Sequence, residues 1–267
     1  MRAKKRLGQH FLPHRATLAR IADALAPTAD DAVLEIGPGH GSLTAVLLER
    51  TARVTAIEKD GDLVGPLRER FPALRLVHAD ALDVDWRESA GVGPVEPLLV
   101  VGNIPYNVTS PLLDQALTPP LPTRIVFLVQ REVADRLAAE PGTGDYGSLT
   151  VGVQSVARVE RLFTVPAGAF VPPPRVDSAV VRLTPLAVPL VTPDESGPFR
   201  RFVVALFGAR RKQLARGLRT AVRAEPAAAL RALESAGIAP TARPETLAPA
   251  KLAALYRALV DGEGLNA

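Results

Sequence analysis

The chain has 267 residues, of which 47% are apolar, so it can bury the core of one large domain and a smaller one. Cysteine is absent, which excludes disulfides and thiolate metal sites, and the four histidines lack metal-ligand spacing, so we expect no metal. No apolar run approaches the roughly 18 residues of a membrane-spanning helix, and the basic N-terminus lacks the apolar segment of a signal peptide. We therefore expect a cytoplasmic protein without membrane contact.

The formal charge of +4 is unevenly distributed along the chain. Basic residues crowd the first six positions and appear again between residues 210 and 223, where apolar Leu214 and Leu218 separate them. This spacing predicts a helix with one basic face, which is either a solvated surface or a surface for phosphates. Its basic residues are Arg210, Arg211, Lys212, Arg216, Arg219 and Arg223.

Short apolar runs alternate with longer amphipathic stretches, which is typical of a parallel α/β sheet. The predicted strands are residues 32–37, 53–58, 74–80, 97–103 and 124–130, with two later β segments at 149–157 and 178–183. The predicted helices are residues 43–50, 62–71, 110–117 and 132–139. We predict a doubly wound α/β domain at 1–185, a Pro-rich linker at 186–198 and a small helical domain at 199–267.

The first predicted strand ends in Glu35, Ile36 and Gly37, and the loop that follows carries Gly39 and Gly41. Alternate glycines let the backbone turn tightly and approach a ligand, and the helix that follows offers its N-terminus to an anion. Dinucleotide-binding loops have the spacing G-x-G-x-x-G, so G-x-G-x-G argues against a nicotinamide-dependent oxidoreductase. A plain strand-to-helix turn is the alternative interpretation.

Acidic residues end the next two predicted strands. Glu58 can accept both hydroxyls of a ribose, and Asp80 can accept the N6–H of an adenine. Either acid alone is equally explained as an exposed residue at a strand end. Because ligands bind at the carboxyl ends of strands in open α/β sheets, the three strand ends together predict a site for an adenosine-containing cofactor.

The fourth predicted strand ends in Asn103-Ile104-Pro105-Tyr106. The amine of adenine is a poor nucleophile, and an acceptor on each N–H would free its lone pair to attack a sulfonium methyl. Asn103 Oδ1 and the carbonyl of Ile104, held extended by Pro105, are suitable acceptors. Tyr106 offers a ring on which an extruded base can stack. A turn is the alternative, but the position beside the predicted cofactor site favours methyl transfer to a planar amine.

The sequence resembles the ribosomal RNA adenine dimethyltransferases of the small-subunit (KsgA/RsmA) type. The resemblance covers nearly all of the predicted first domain and reaches into the second. Besides residues 35–41 and 103–106, the motifs that carry it are KRLGQHFL at 5–12, IEKD at 57–60, DA at 80–81, QREVADR at 130–136, YGSL at 146–149 and FVPPPRVDSAV at 170–180.

The resemblance implies a Rossmann-like class I methyltransferase that uses S-adenosylmethionine to dimethylate two adjacent adenosines near the 3′ end of 16S rRNA, within the immature 30S subunit. The implied catalytic residues are Asn103, Ile104, Pro105, Tyr106 and Phe170, with Phe170 and Tyr106 sandwiching the flipped adenine. The implied cofactor contacts are Gln9, His10, Leu12, Glu35, Gly37, Gly39, Glu58, Asp80, Ala81 and Asn103. We expect rRNA contacts from Arg210, Arg211, Lys212 and Arg216, and a monomer.

Two other functions stay open at this point. The sister family that dimethylates an adenine of 23S rRNA shares the glycine loop and the Asn-x-Pro-Tyr motif, but residues 170–180 and 208–212 favour the small-subunit type. A non-enzymatic assembly factor would hold rRNA with its basic surface alone. The intact methyl-transfer motif argues against that being the only role.

Overall fold

The computed structural model describes Lys4 and residues 8–262; the rest of the basic N-terminal cluster and residues 263–267 lie outside the described residues. The described chain forms two compact units. The first comprises the residues up to Ala134 together with Val159–Pro185, and the second comprises Asp135–Arg158 together with the residues from Leu186 onward. The chain thus enters the second unit, returns to complete the first, and then leaves it again.

A seven-stranded sheet lies at the centre of the first unit, in the order β3-β2-β1-β4-β5-β7-β6. Strands β1 to β5 are parallel, and β7 runs antiparallel to β5. The doubly wound α/β class and six of the predicted strands are confirmed. The strands are β1 (Ala32–Ile36), β2 (Val54–Glu58), β3 (Arg75–His78), β4 (Leu98–Asn103), β5 (Arg124–Gln130), β6 (Ala157–Val165) and β7 (Ser178–Pro185).

The strand order fixes where a ligand can bind. Every residue of β1 and β2 is buried, as expected for parallel strands covered on both faces. Strand β1 lies between β2 and β4, so the connection from β1 goes one way across the sheet and the connection from β3 to β4 goes back. Open α/β sheets bind ligands outside the carboxyl ends of the strands at such a reversal.

Helices surround this sheet, and the four predicted from the sequence are confirmed to within two residues at each end. They are α2 (Ser42–Leu48), α3 (Gly61–Arg70), α5 (Thr109–Ala116) and α6 (Arg131–Leu137). The structure adds α1 (Arg15–Leu25) and the short α4 (Trp86–Ala90). Helix α1 buries Leu18, Ile21 and Leu25 at helical spacing in the core that also contains residues of β1 and β5.

The prediction of a strand at residues 149–157 is wrong, because this segment forms α7 (Ser148–Gln154). Its β-branched residues suggested a strand, but Thr150 donates from Oγ1 to the carbonyl oxygen of Arg136 at 2.6 Å, and Val151 and Val153 are buried. Tertiary packing therefore overrides the local preference for a strand. The strand of this region, β6, begins only at Ala157.

The second unit is helical, as predicted for the C-terminal region. Its longer helices after α7 are α8 (Pro193–Gly208), α10 (Pro226–Ser235) and α11 (Pro249–Asp261). Helix α8 begins inside the predicted linker, because Thr192 and Glu195 cap it reciprocally and Pro193 occupies its first position. The predicted linker is therefore free of helix only over residues 186–192, and its remainder forms the start of α8. None of the described helices is both long and apolar enough to span a bilayer.

The predicted helix with one basic face is only partly formed. Residues 209–213 turn without helix, and α9 (Leu214–Gly217) continues into a π-helical turn, Leu218–Val222. The backbone N–H of Leu214 donates to the carbonyl oxygen of Ala242 at 2.8 Å, a tertiary bond that starts α9 here. Leu214 and Leu218 are fully buried, so their predicted inward face is correct.

Candidate active site

One cavity of the first unit opens at the carboxyl ends of the central strands, where the strand order reverses. Residues of the segment Gly8–Leu12 line it together with the loops after β1, β2, β3 and β4. The structure brings nearly all the predicted catalytic and cofactor residues to this cavity: Gln9, His10, Leu12, Glu35, Gly37, Gly39, Glu58, Asp80, Ala81, Asn103, Ile104, Pro105 and Tyr106.

The glycine loop after β1 adopts a backbone that other residues rarely adopt. Gly37, Gly39 and Gly41 have φ angles of 68°, 59° and 76°. A Cβ on Gly39 would lie 2.9 Å from the ring of Phe11, and one on Gly41 would lie 2.4 Å from the ring of Phe71. A Cβ on Gly37 would meet no atom within 4 Å, so this backbone borders open space on the cavity side of the sheet.

Two buried carboxyl groups stand behind this loop. Glu58 accepts from the backbone N–H of Gly39 at 3.0 Å and from that of Asp60 at 2.7 Å, one bond to each oxygen. Burial raises the pKa of Glu58, and these N–H groups limit the rise. Glu35 accepts from Oγ1 of Thr44 at 2.6 Å. Burial raises the pKa of Glu35 to about 7, against the effect of the Thr44 hydroxyl and with a contribution from the charge of Glu58.

Asp80 follows the next strand, β3, and the pKa of its carboxyl is shifted in the opposite direction from those of Glu35 and Glu58. Burial alone would raise the pKa of its carboxyl, but the ammonium of Lys59 holds it below its ordinary value. Lys59 Nζ bonds to Oδ2 of Asp80, and the backbone N–H of Leu82 donates to Oδ1 at 3.1 Å. Lys59 also lines the cavity; it lies in the IEKD motif at 57–60 but was not among the predicted site residues.

The tetrapeptide after β4 keeps two acceptor oxygens available. Asn103 donates from Nδ2 to the carbonyl oxygen of His10 at 2.7 Å, which fixes the plane of the amide. The backbone N–H of Ile104 donates to the carbonyl oxygen of Leu128 at 3.1 Å, which holds the start of the loop against β5. Among the described residues, none donates a hydrogen bond to Asn103 Oδ1 or to the carbonyl of Ile104.

The ring of Tyr106 is held from two sides. Its hydroxyl lies 2.7 Å from Oγ of the buried Ser178, and the ring of His10 stacks on it with centroids 5.6 Å apart and an angle of 26°. Burial raises the pKa of Tyr106, so its hydroxyl stays protonated at neutral pH. An aromatic surface is therefore fixed at the cavity beside the two acceptor oxygens.

The segment Gly8–Leu12 is attached to the loop before β7. Phe11 and Val171 form an antiparallel bridge with N–O distances of 3.1 and 2.8 Å. Nδ1 of His10 lies 2.8 Å from the carbonyl oxygen of Pro172. The ring of Phe11 lies 4.2 Å from that of His40, at the tip of the glycine loop. This segment therefore forms one wall of the cavity.

Phe170 lies elsewhere than predicted. Its side chain is 2% exposed and packs in the hydrophobic core with Leu12, Leu128 and Val180, and it is not among the described residues that line the cavity. The ring that contacts Tyr106 is that of His10 instead. The ordinary preference of Phe for the core would have placed Phe170 correctly.

The predicted RNA-contacting residues lie in the second unit. Arg210, Arg211, Lys212 and Arg216 are all exposed, in the turn after α8 and in α9. Lys212 donates from Nζ to Oγ1 of Thr220 at 3.4 Å, so this turn is tied to the π-helical segment. The charges therefore lie on a solvated surface, where they are available to phosphates.

The sequence profile of the ribosomal RNA adenine dimethylase family matches residues 1–260 of the chain. The chain belongs to this family. It is also 45% identical to the ribosomal RNA small subunit methyltransferase A of Bordetella pertussis, over 97% of this chain and 94% of that protein. The family assignment confirms the α/β methyltransferase fold and the rRNA adenine dimethyltransferase activity predicted from the sequence.

Solved structures resemble this dimethylase over nearly their whole length. The crystal structure of the 23S rRNA methyltransferase ErmE superposes with a TM-score of 0.71 and 32% identity, covering 94% of this chain and 99% of that one. A dimethyladenosine transferase from Plasmodium falciparum superposes with a TM-score of 0.80 and 24% identity, covering 96% and 99%. The second likeness concerns the fold alone.

Proposed function

We propose that this dimethylase uses S-adenosylmethionine to methylate the N6 amines of two adjacent adenosines in the hairpin near the 3′ end of 16S rRNA, acting as a monomer on the immature small subunit. The observation that carries the proposal is the pair of unengaged oxygens on Asn103 and Ile104 in a cavity that Glu35 and Glu58 also line. An amine needs acceptors to activate it, and an adenosyl cofactor needs carboxylates to hold it.

The residues of the cavity fit an adenosyl cofactor. Glu58 keeps a second lone pair on each oxygen for the hydroxyls of a ribose, and Asp80 offers an acceptor for the amine of an adenine. The space beside Gly37, which a Cβ would fill, admits a ligand close to the backbone. Gln9, His10 and the other cavity residues named above would complete the contacts. When bound, S-adenosylmethionine supplies an electrophilic methyl group on a sulfonium.

Asn103 and Ile104 activate the amine in this proposal. In the first transfer each accepts one N–H of the adenine amine, and in the second transfer the single N–H that remains is accepted by one of them; these bonds orient the nitrogen lone pair toward the methyl group. The bond from Asn103 Nδ2 to His10 keeps Oδ1 as the free end of the amide, so the acceptor needs no reorganisation. The same oxygens stabilise the positive charge that develops on nitrogen, and the proton is lost to solvent after transfer.

Tyr106 provides the surface for the extruded base. Stacking on an aromatic ring contributes about 1–3 kcal/mol per base, and the bond to Ser178 fixes the ring plane. An unpaired adenine costs least to extrude, which favours a hairpin loop as substrate. Phe170 would have to leave the core to join this stack, and we assign it no contact with the base.

The rRNA target is proposed from the relatives and from charge. The relative from Bordetella pertussis carries the name of a small-subunit methyltransferase and shares 45% identity, against 32% for ErmE. The exposed cations Arg210, Arg211, Lys212 and Arg216 supply a surface for rRNA phosphates.

Mass spectrometry of 16S rRNA fragments tests this function directly. Immature 30S particles are incubated with the protein and methyl-labelled S-adenosylmethionine, and the fragments near the 3′ end are analysed. We expect label in dimethyladenosine at two adjacent positions. Unlabelled 16S rRNA after full incubation would overturn the proposal.

The likeness to ErmE supports a second candidate, dimethylation of 23S rRNA. A parallel incubation with naked 23S rRNA separates the two. Modification of 23S rRNA alone would establish this second candidate, whereas modification restricted to 30S particles supports the small-subunit target.

A further inference from the structure

Asp60 is a buried carboxylate that does not line the cavity but contacts two parts of its wall. Its side chain is 4% exposed, and its oxygens accept from Lys4 Nζ at 2.5 Å and from Gln9 Nε2 at 2.9 Å. Its own backbone N–H donates to Oε1 of Glu58 at 2.7 Å. One residue therefore joins the segment that carries Gln9 to the carboxylate of Glu58.

The side chain of Gln9 is held at both ends. Its Oε1 accepts from the backbone N–H of Lys4 at 2.8 Å, while its Nε2 donates to Asp60. Gln9 lines the cavity, whereas neither Lys4 nor Asp60 does so. The amide of Gln9 is thus oriented from behind by groups that a ligand would not touch.

A purely local explanation accounts for only part of this arrangement. Asp60 is also the N-cap of α3, and its Oδ1 accepts from the backbone N–H of Asp62 at 3.2 Å. A serine would serve as well at an N-cap. The cap needs only Oδ1, whereas Gln9 donates to the second oxygen, Oδ2, and Lys4 pairs at Oδ1 with a negative charge; a serine lacks both that second oxygen and that charge.

The Asp60 carboxylate is in the charge state that pairing with Lys4 requires. Burial alone would raise the pKa of Asp60, but hydrogen bonds from Lys4 and Gln9 hold it below its ordinary value. Asp60 is therefore ionised at neutral pH and attracts the ammonium of Lys4, which also pairs with Asp62 at 2.5 Å.

We propose that Asp60 is a positioning residue for cofactor binding, which orients Gln9 through its carboxylate and Glu58 through its backbone N–H. The inference rests on the proposed function, because it concerns the affinity for S-adenosylmethionine. Asp60 itself touches neither cofactor nor substrate in this arrangement.

The test replaces Asp60 by serine, which removes the carboxylate but keeps a side-chain oxygen that can cap α3. We expect Asp60→Ser to raise the Kd for S-adenosylmethionine about 10-fold, since a charge-assisted network is lost, and Lys4→Met to raise it about 3-fold. Lys4→Arg should restore affinity to near that of the parent. The rate at saturating cofactor should stay within about 2-fold of the parent, because neither residue contacts the reacting atoms.

Asp85→Ser is the matched control. Asp85 caps α4 by accepting from the backbone N–H of Glu88 at 2.8 Å and lies away from the cavity. Calorimetry gives the Kd, and thermal unfolding shows that both serine variants fold. Asp85→Ser should bind the cofactor as the parent does.

The outcomes separate this inference from the function on which it rests. If the parent protein binds no S-adenosylmethionine, the proposed function fails and the inference with it. If the parent binds but Asp60→Ser binds equally well, or if Asp85→Ser loses as much affinity, only the inference is overturned. A fall in the saturated rate with unchanged affinity would also contradict a positioning role.

Discussion

The two sides of the cavity differ in how their hydrogen-bonding groups are used. Behind the glycine loop, Glu35 and Glu58 are buried and already bonded to Thr44, Gly39 and Asp60. After β4, Asn103 Oδ1 and the carbonyl of Ile104 have no donor among the described residues, although the atoms around them are fixed. The carboxylates behind the glycine loop are therefore already hydrogen-bonded within the protein. The two oxygens of the tetrapeptide are held in place by their neighbours but accept no hydrogen bond from a described residue.

The difference agrees with the roles proposed for the two sides. Groups that hold a cofactor through many turnovers benefit from bonds that fix them in place. Groups that activate a substrate must stay free until the amine arrives, while their orientation is set in advance. Removing one group at a time tests this division.

Asn103→Ala should have the largest effect. Loss of one preorganised polar group at a reacting centre typically costs about 100- to 1000-fold in rate, so we expect methylation to fall by that factor. Binding of S-adenosylmethionine and of 30S particles should change far less, because neither depends mainly on this oxygen. A single-turnover methylation assay measures the rate, and filter binding measures particle affinity.

Asn107→Ala is the matched control for Asn103. Asn107 is exposed, lines the same cavity and is the same residue type. Its loss of rate should be at least about 10-fold smaller than that of Asn103→Ala, since its amide is not one of the two proposed acceptors. Equal losses at the two positions would refute the division between the two sides.

Glu58→Gln should weaken cofactor binding by roughly 10- to 150-fold. The amide would present N–H groups toward the backbone donors of Gly39 and Asp60, and hydrogen bonds to a charged group contribute about 1.5–3 kcal/mol. Calorimetry with S-adenosylmethionine measures this change. The rate at saturating cofactor should fall much less, and the opposite pattern would place Glu58 on the reacting side.

Tyr106→Ala should lower kcat/KM for the rRNA by roughly 5- to 150-fold, the equivalent of 1–3 kcal/mol of lost stacking. Tyr106→Phe keeps the ring and loses only the bond to Ser178, so its effect should be several-fold at most. Steady-state kinetics with varied 30S concentration distinguishes the variants. Equal losses in the two would assign the role to the hydroxyl rather than to the ring.

Glu35→Gln tests the buried acid through the pH dependence of stability. The folded protein holds this proton up to a pKa of about 7, whereas the unfolded chain releases it near 4.5. The parent therefore loses stability relative to the variant as the pH rises through that window, by up to about 1.4 kcal/mol per pH unit. Urea unfolding at pH 5, 6 and 7 measures the difference, and parallel curves would show that Glu35 is already ionised.

Phe170→Leu should have the smallest effect on activity. The side chain lies in the core, and a hydrophobic replacement there costs up to about 1.5 kcal/mol of stability. The methylation rate at a temperature where the variant is folded should stay within a few-fold of the parent. A loss as large as that of Tyr106→Ala would show that Phe170 leaves the core to contact the base.

Much of the site follows from the sequence because it sits at strand ends. Glu58, Asp80 and Asn103 each end or follow a parallel strand, and the carboxyl ends of such strands meet at one edge of the sheet. The tetrapeptide after β4 then indicates the chemistry, since both acceptors come from adjacent residues. For these residues strand bounds and residue types were sufficient, whereas Gln9, His10 and Leu12 were predicted only through the family resemblance.

The features that sequence could not supply depend on contacts distant along the chain. His10 reaches Tyr106 and Pro172, and Asp60 reaches Lys4 and Gln9, with nothing in the local pattern to indicate these pairs. The prediction of a strand at residues 149–157 was wrong for the same reason, because burial rather than β-branching decided the conformation of this segment.

The excursion of residues 135–158 into the second unit affects how the chain folds as it is synthesised. Strand β5 ends at Gln130 and its partner β7 begins at Ser178, so the sheet closes only after the excursion has emerged. Helix α7 in turn packs against α8 and α11, which are made later. At elongation rates of about 5–20 residues per second, the apolar face of α7 stays without these two helices for several seconds. No single cut in the gene therefore separates the two units, because a cut after Pro185 leaves residues 135–158 attached to the first unit and a cut after Ala134 leaves residues 159–185 attached to the second.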